Sequence, residues 1–228
     1  MILLAVDTST TSCSVALFND AQLLAEVVYT AGKTHSRHLL PIIRSVLVRC
    51  RCTPADLNGI AVTRGPGTFT GLRIGISAVK GLAAATGASV VGVSSLAALA
   101  LPFAVIDHPV VAMIDARRGE IYHALFHGRT DTPEAVGPVA VDAPEAAASR
   151  LPEGTILVGS GAVIYRDIFK ARCPRVRFAD PASHVIRAAS VGMLAMTRFA
   201  AHDVDPVDTL LPEYIRKSDA QVQMSGSC

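Results

Sequence analysis

ILLAVDTSTTSCSVALFNDAQLLAEVVY (residues 2–29) reads as three short strands in succession. Ile2–Val6 and Ser14–Phe18 are apolar runs of strand length, joined by the polar turn Thr8-Ser9-Thr10-Thr11. Asn19-Asp20 is a hairpin turn signal, and Leu23–Tyr29 supplies the third strand. The period then changes. Leu39, Ile42, Ile43, Val46, Leu47 and Cys50 fall at helical spacing, with Arg37, Arg44 and Arg51 on the flank. Gly59–Thr63 is a short buried strand, and a glycine-rich turn after it opens a helix that Gly87 terminates. Ser89–Val93 is another strand, and Ser94 and Ser95 are placed to cap the next helix. Residues 1–105 therefore read β-β-β-α-β-α-β-α.

The same order restarts after Pro109. Val110–Ile114, Glu120–Phe126 and Ala135–Val141 are expected strands, and Asp142-Ala143-Pro144-Glu145 starts a helix. Thr155–Val158 follows as a strand, Ala162–Arg172 as a helix and Ser183–Ala201 as a long helix. Three meandering strands followed by alternating helix and strand is the ribonuclease-H-like pattern. Two copies in tandem are the plan of the actin/sugar-kinase/Hsp70 ATPase superfamily. The expected fold class is α/β with two such lobes, 1–105 and 106–228, the first carrying the glycine-rich block.

Composition narrows the function. Half of the 228 residues are hydrophobic, enough for a substantial core, and the net charge is only +2. No strong field marks nucleic acid or a membrane as a partner, and the absence of tryptophan argues against a base-stacking platform. The uncharged stretch Gly81–Ile106 is long enough to span a bilayer, but Gly87, Ser89, Gly92, Ser94, Ser95 and Pro102 punctuate it into buried elements. Met1–Val6 is too short for a signal core. The five cysteines are scattered, and Cys50-Arg51-Cys52 is half a metal site with no second pair at ligand spacing. A reducing, cytoplasmic location is expected, with no membrane and no metal.

Four motifs bear on chemistry. Asp7-Thr8 ends the first strand, where two-lobed ATPases place an acid and hydroxyls near a metal-bound phosphate; no glycine stands in residues 8–14 to let backbone amides approach one. Gly65, Gly67 and Thr68 lie in RGPGTFTGLRIG (64–75), which follows a strand and opens a helix. Free amides there favour an anion, yet the run is neither a Walker loop nor a dinucleotide fingerprint. Close helix packing explains its glycines more simply. Asp115-Ala116-Arg117-Arg118-Gly119-Glu120 is either a catalytic cluster or, more plainly, a hairpin turn whose charges pair. His35 and His38 have no acid beside them and read as solvated first-turn residues.

Together RGPGTFTGLRIG (64–75), DTSTTSCSVAL (7–17), THSRHLLP (34–41), DARRGEIY (115–122) and LLPEYIRKSDA (210–220) resemble the bacterial TsaB (YeaZ) family. The resemblance implies pairing with a TsaD-like paralog, homodimerisation in isolation, and work with a TsaE-like ATPase. Together these transfer a threonylcarbamoyl group to adenosine 37 of tRNA, which this chain meets only through the complex. TsaD-type enzymes carry an Asn-His-x-x-x-His metal run one strand after the glycine-rich block. Here its ligand positions are Ser95 and Leu99, and leucine cannot hold a metal. The resemblance thus implies a non-catalytic scaffold with no cofactor of its own, ATP and a divalent metal belonging to the partner subunits. The alternative is an enzyme of the same superfamily, sugar-kinase-like or glycoprotease-like. The uncharged helix face around Leu72, Ile76 and Val79, next to Arg73, is expected to meet the partner together with Leu40.

Overall fold

The computed structural model describes every residue except 31–34, 129–131 and 216–228, and the backbone alone of His35. Thr34 and the Arg216-Lys217 pair of the quoted motifs lie outside the described residues. Strands β1 (Ile2–Asp7), β2 (Cys13–Asn19) and β3 (Gln22–Tyr29) form the expected meander. Helix α1 (His35–Arg49), β4 (Gly59–Gly65), α2 (Phe69–Thr86), β5 (Ser89–Ser94) and α3 (Ser95–Ala100) follow. The first sheet has the order β3-β2-β1-β4-β5, antiparallel on the meander side and parallel from β1 to β5.

The second sheet repeats this plan. Its strands are β6 (Pro109–Arg117), β7 (Glu120–His127), β8 (Glu134–Asp142), β9 (Ile156–Val158) and β10 (Arg177–Phe178), in the order β10-β9-β6-β7-β8. Its helices are α4 (Pro144–Ala148), α5 (Ser160–Ile164) and α6 (Arg166–Arg172), and α7 (Ala188–Ala200) follows. The helix expected over 162–172 is broken at Tyr165, whose hydroxyl donates to Asp115. The long helix expected from Ser183 starts only at Ala188. The Ile186 carbonyl accepts a hydrogen bond from Ser14 Oγ, and the Ala189 amide donates to the Glu26 carboxylate of β3 at 3.0 Å. These ties to the meander fix the entry to α7.

Among the described residues three apolar clusters build the core. One lies between the first sheet and α1 and α2, one between the second sheet and α4–α6, and the largest joins the two sheets through α3 and α7. The boundary expected at 105/106 needs correction here. Helix α7 packs on β1, β2, β4 and β5, where a Cβ on Gly192 would lie 2.4 Å from Phe18. Beyond it the Asp205 amide bonds Val90 of β5, Leu210 is buried, and the Glu213 amide donates to Arg64 of β4. Arg198 fixes this return through Asp205, whose carboxylate also accepts from the Gly92 amide. Residues 186–215 thus cover the first sheet, because its Leu3, Ala5, Ala16, Phe18, Ala61 and Val91 would otherwise lack part of their cover. Among the described residues no helix is long and apolar enough to cross a membrane.

The partner face expected on α2 is also corrected. Leu72, Ile76 and Val79 are 1%, 4% and 0% exposed, so they face the chain's own core. Gly71 and Gly75 let the helix sink against the β1 turn, which rotates this i, i+4, i+7 stripe inward. Only Arg73 of that set points outward, and Leu40 on α1 is exposed. Ile76→Glu would bury an unpaired charge and is expected to lower stability by about 4 kcal/mol or more, read as a urea midpoint.

Candidate functional site

Strand β1 ends in a turn that lies directly under the start of α2. Asp7, Thr8 and Ser9 are 0%, 1% and 0% exposed. Asp7 Oδ1 accepts from the Ser9 amide at 3.1 Å, Ser9 Oγ at 2.6 Å and Thr63 Oγ1 at 2.7 Å. Thr8 Oγ1 donates to the Gly71 carbonyl at 2.7 Å, and the Thr68 amide donates to the Ser9 carbonyl at 2.7 Å. Thr68 is the N-cap of α2, its side chain accepting from the Gly71 amide at 3.2 Å.

The glycines explain the closeness. An added Cβ would lie 2.4 Å from the Ser9 carbonyl at Gly67, and 2.0 Å from the Thr8 carbonyl at Gly71. At Gly65, whose φ is +142°, it would meet the Glu213 carbonyl at 2.5 Å. The structure therefore does bring Asp7, Thr8, Gly65, Gly67 and Thr68 to one place, but they contact one another and the returning chain. Of the amides an anion could use, those of Thr68 and Gly71 bond to the Ser9 carbonyl and the Thr68 hydroxyl. The glycine-rich block is a packing device.

The second hairpin is built in a similar way. Arg117, Arg118 and Gly119 have φ of 64°, 57° and 77°, a left-handed run that turns β6 into β7. Asp115 accepts from the Arg117 amide at 3.1 Å and pairs with its guanidinium at 3.5 Å, while Tyr165 donates to it at 3.3 Å. Charges of the hairpin turn thus pair as expected, here Arg117 with Asp115. Gly159-Ser160-Gly161, at the start of α5, is packed as well. A Cβ on Gly159 would lie 2.2 Å from the Met113 carbonyl, and its amide donates to His184 Nδ1 at 3.1 Å.

Burial pushes the His184 imidazole below its ordinary value. The unfolded chain binds the proton more readily, so the stabilising contribution is present above about pH 6.5 and is lost as pH falls below it. His184→Gln is expected to flatten the fall in melting temperature between about pH 6.5 and 5. An unchanged slope would dissociate this residue from the acid lability.

The two positions that match the paralog's metal ligands are closed to solvent: Ser95 is 0% and Leu99 2% exposed. No group of three metal-binding side chains occurs among the described residues. His38 lies against Tyr29, with ring centroids 4.6 Å apart.

One exposed apolar surface lies on the outer side of α1. Leu40 is 56% and Val48 66% exposed, and with Pro41, Arg44 and Ser45 they line a shallow depression of about 560 Å³. Sequence reasoning found Leu40 but missed Val48, although residues 40, 44 and 48 share one helical face. It also missed a stack at the start of α2. The Arg73 guanidinium lies 3.7 Å over the Phe69 ring, Tyr214 stacks on the same ring at 5.1 Å, and Arg73 Nε donates to the Tyr214 hydroxyl.

The family model described as TsaD, tRNA N6-adenosine threonylcarbamoyltransferase, matches residues 23–224. The tRNA threonylcarbamoyladenosine biosynthesis protein TsaB of Escherichia coli (strain K12) is 32% identical, over 99% of this chain and 99% of its own length. The chain belongs to the TsaB (YeaZ) family. A solved structure, YeaZ from Pseudomonas aeruginosa, superposes with a TM-score of 0.82 at 32% identity, covering 94% of this chain and 99% of that one. The ROK hexokinase of Thermus thermophilus, at 14% identity, shares the fold alone, with a TM-score of 0.51 over 89% of this chain and 100% of its own. The TsaB family member described here therefore has the fold of YeaZ and shares its overall two-lobed arrangement with the hexokinase, and its glycine-rich block packs against its own β1 turn.

Proposed function

We propose that this chain is a non-catalytic subunit of a tRNA threonylcarbamoyladenosine-forming assembly. It docks a TsaD-like paralog and, with a TsaE-like ATPase, supports threonylcarbamoyl transfer to adenosine 37 of tRNA. The observation that carries this reading is the burial of Ser95 and Leu99, where the paralog's pattern places metal ligands. A buried serine hydroxyl and a leucine side chain leave no ligand set at that place. The packing of the Asp7–Ser9 turn supports the same reading, since the amides of the N-cap Thr68 and of Gly71 already have partners within the chain.

The surface assigned to the partner is the exposed α1 face around Leu40 and Val48, together with the Phe69–Arg73–Tyr214 stack. Exposed aliphatic side chains beside aromatic and arginine anchors have the composition of a binding hot spot. The isolated chain uses the same face to form a homodimer, and the paralog displaces one copy. ATP and the divalent metal belong to the partner subunits. The test is purification of the tagged chain from its own organism, with and without ATP. Recovery of the TsaD-like protein in comparable amount with the bait is the expected result, and its absence under both conditions would contradict the proposal.

A further inference from the structure

We propose that Cys50 and Cys52 form a dithiol site that a small-molecule disulfide, of the glutathione class, converts into an intramolecular disulfide. The pair follows the last residue of α1. The Cys50 amide still bonds the Val46 carbonyl at 3.1 Å, and the Cys52 amide returns to the Leu47 carbonyl at 2.9 Å. Arg51 between them has φ of +56°, and this left-handed residue folds Cys52 back over Cys50. Cys52 Sγ consequently lies 3.5 Å from the Cys50 carbonyl oxygen. Both side chains are half-buried at the edge of the cluster under the first sheet. Residues two apart in such a turn have Cα atoms about 5–6 Å apart, inside the range a disulfide spans.

The other described cysteines are poorer reactants. Cys13 is buried and pushed up to about 12 by burial and by the nearby Asp7 charge. Cys173 donates to the Ala148 carbonyl within the second lobe. The Cys50 thiol is also raised, first by burial and then by the charge of Cys52, so the reaction is slow at neutral pH and speeds up as pH rises. One thiolate attacks a sulfur of oxidised glutathione, its S–S bond breaks and one glutathione thiolate leaves. The second cysteine then attacks the mixed disulfide and expels the other half. The pair loses two electrons and two protons, and two glutathione thiols are formed.

The test uses the full chain in oxidised glutathione at mildly alkaline pH, followed by acid quench, alkylation and mass measurement. The wild type is expected to lose the mass of two hydrogen atoms without retaining glutathione, and dithiothreitol should restore it. Trypsin cleaves after Arg49 and Arg51, so the dipeptide Cys50-Arg51 stays attached to Cys52–Arg64 only when the disulfide is present. Cys52→Ser should instead keep one glutathione on Cys50. Stable glutathione on both cysteines of the wild type would overturn the proposal. So would both thiols staying free, or a bond running to Cys173 or to a second chain. The wild-type map decides the question even if the variant fails to fold.

Discussion

Gly71→Ala is expected to destabilise the protein by about 3 kcal/mol or more, lowering the melting temperature by roughly 6–12 °C. The added Cβ would lie 2.0 Å from the Thr8 carbonyl and 2.5 Å from Thr68 Oγ1. The first of these is backbone just beyond the paired strand β1, so it cannot swing away as a side-chain tip would. To relieve the clash α2 must lift from the turn. That stretches the Thr8–Gly71 and Thr68–Ser9 hydrogen bonds and loosens Leu72, Ile76 and Val79 in the core. Gly81→Ala is the control within the same helix. Nothing lies within 4 Å of its added Cβ, so the ordinary helix preference applies and a gain of up to about 1 kcal/mol is expected. Thermal melts of the two variants measure both. Similar small shifts for the two would remove the packing account of the glycine-rich block.

The second large effect is on assembly. Leu40→Glu combined with Val48→Glu is expected to weaken binding of the TsaD-like paralog by at least about 100-fold, equivalent to about 2.7 kcal/mol. The homodimer should fall to monomer as well. Both side chains are more than half exposed, so the melting temperature should stay within about 2 °C of the wild type. This separates docking from folding, which substitutions at the buried Leu72 or Ile76 cannot do. Titration calorimetry and sedimentation read the two quantities. Wild-type affinity in a monomeric, folded variant would move the paralog's site off α1, while an intact homodimer would do the same for self-association.

The architecture was legible because its signals are local. The Asn19-Asp20 turn and the Gly87 stop each act within a few residues and lie where the structure changes element, and the helical period from Leu39 falls inside α1. The chain's return to the first sheet was not legible. It depends on contacts across more than 100 residues, among them Ser14 with Ile186 and Glu26 with Ala189, and no pattern in either segment names the other. The α2 face failed for a related reason. Apolar residues around a helix show that it is covered, but its rotation is set by Gly71 and Gly75 against Thr8, a contact 63 residues away in sequence for Gly71. Asp7-Thr8 and the glycine-rich block read as two separate motifs, and nothing in either names their contact. A helix N-terminus packed against its own chain has the same sequence signature as one left open for an anion.

The most direct test of the non-catalytic reading is a threonylcarbamoyl transfer assay on tRNA with the three proteins added separately. This chain alone, with ATP and a divalent metal, should give no product above the protein-free background. At fixed TsaD-like and TsaE-like proteins, the initial rate should rise with added chain and level off once the TsaD-like protein is saturated. Product formed by this chain without the TsaD-like protein, or a rate indifferent to its addition, would contradict the account.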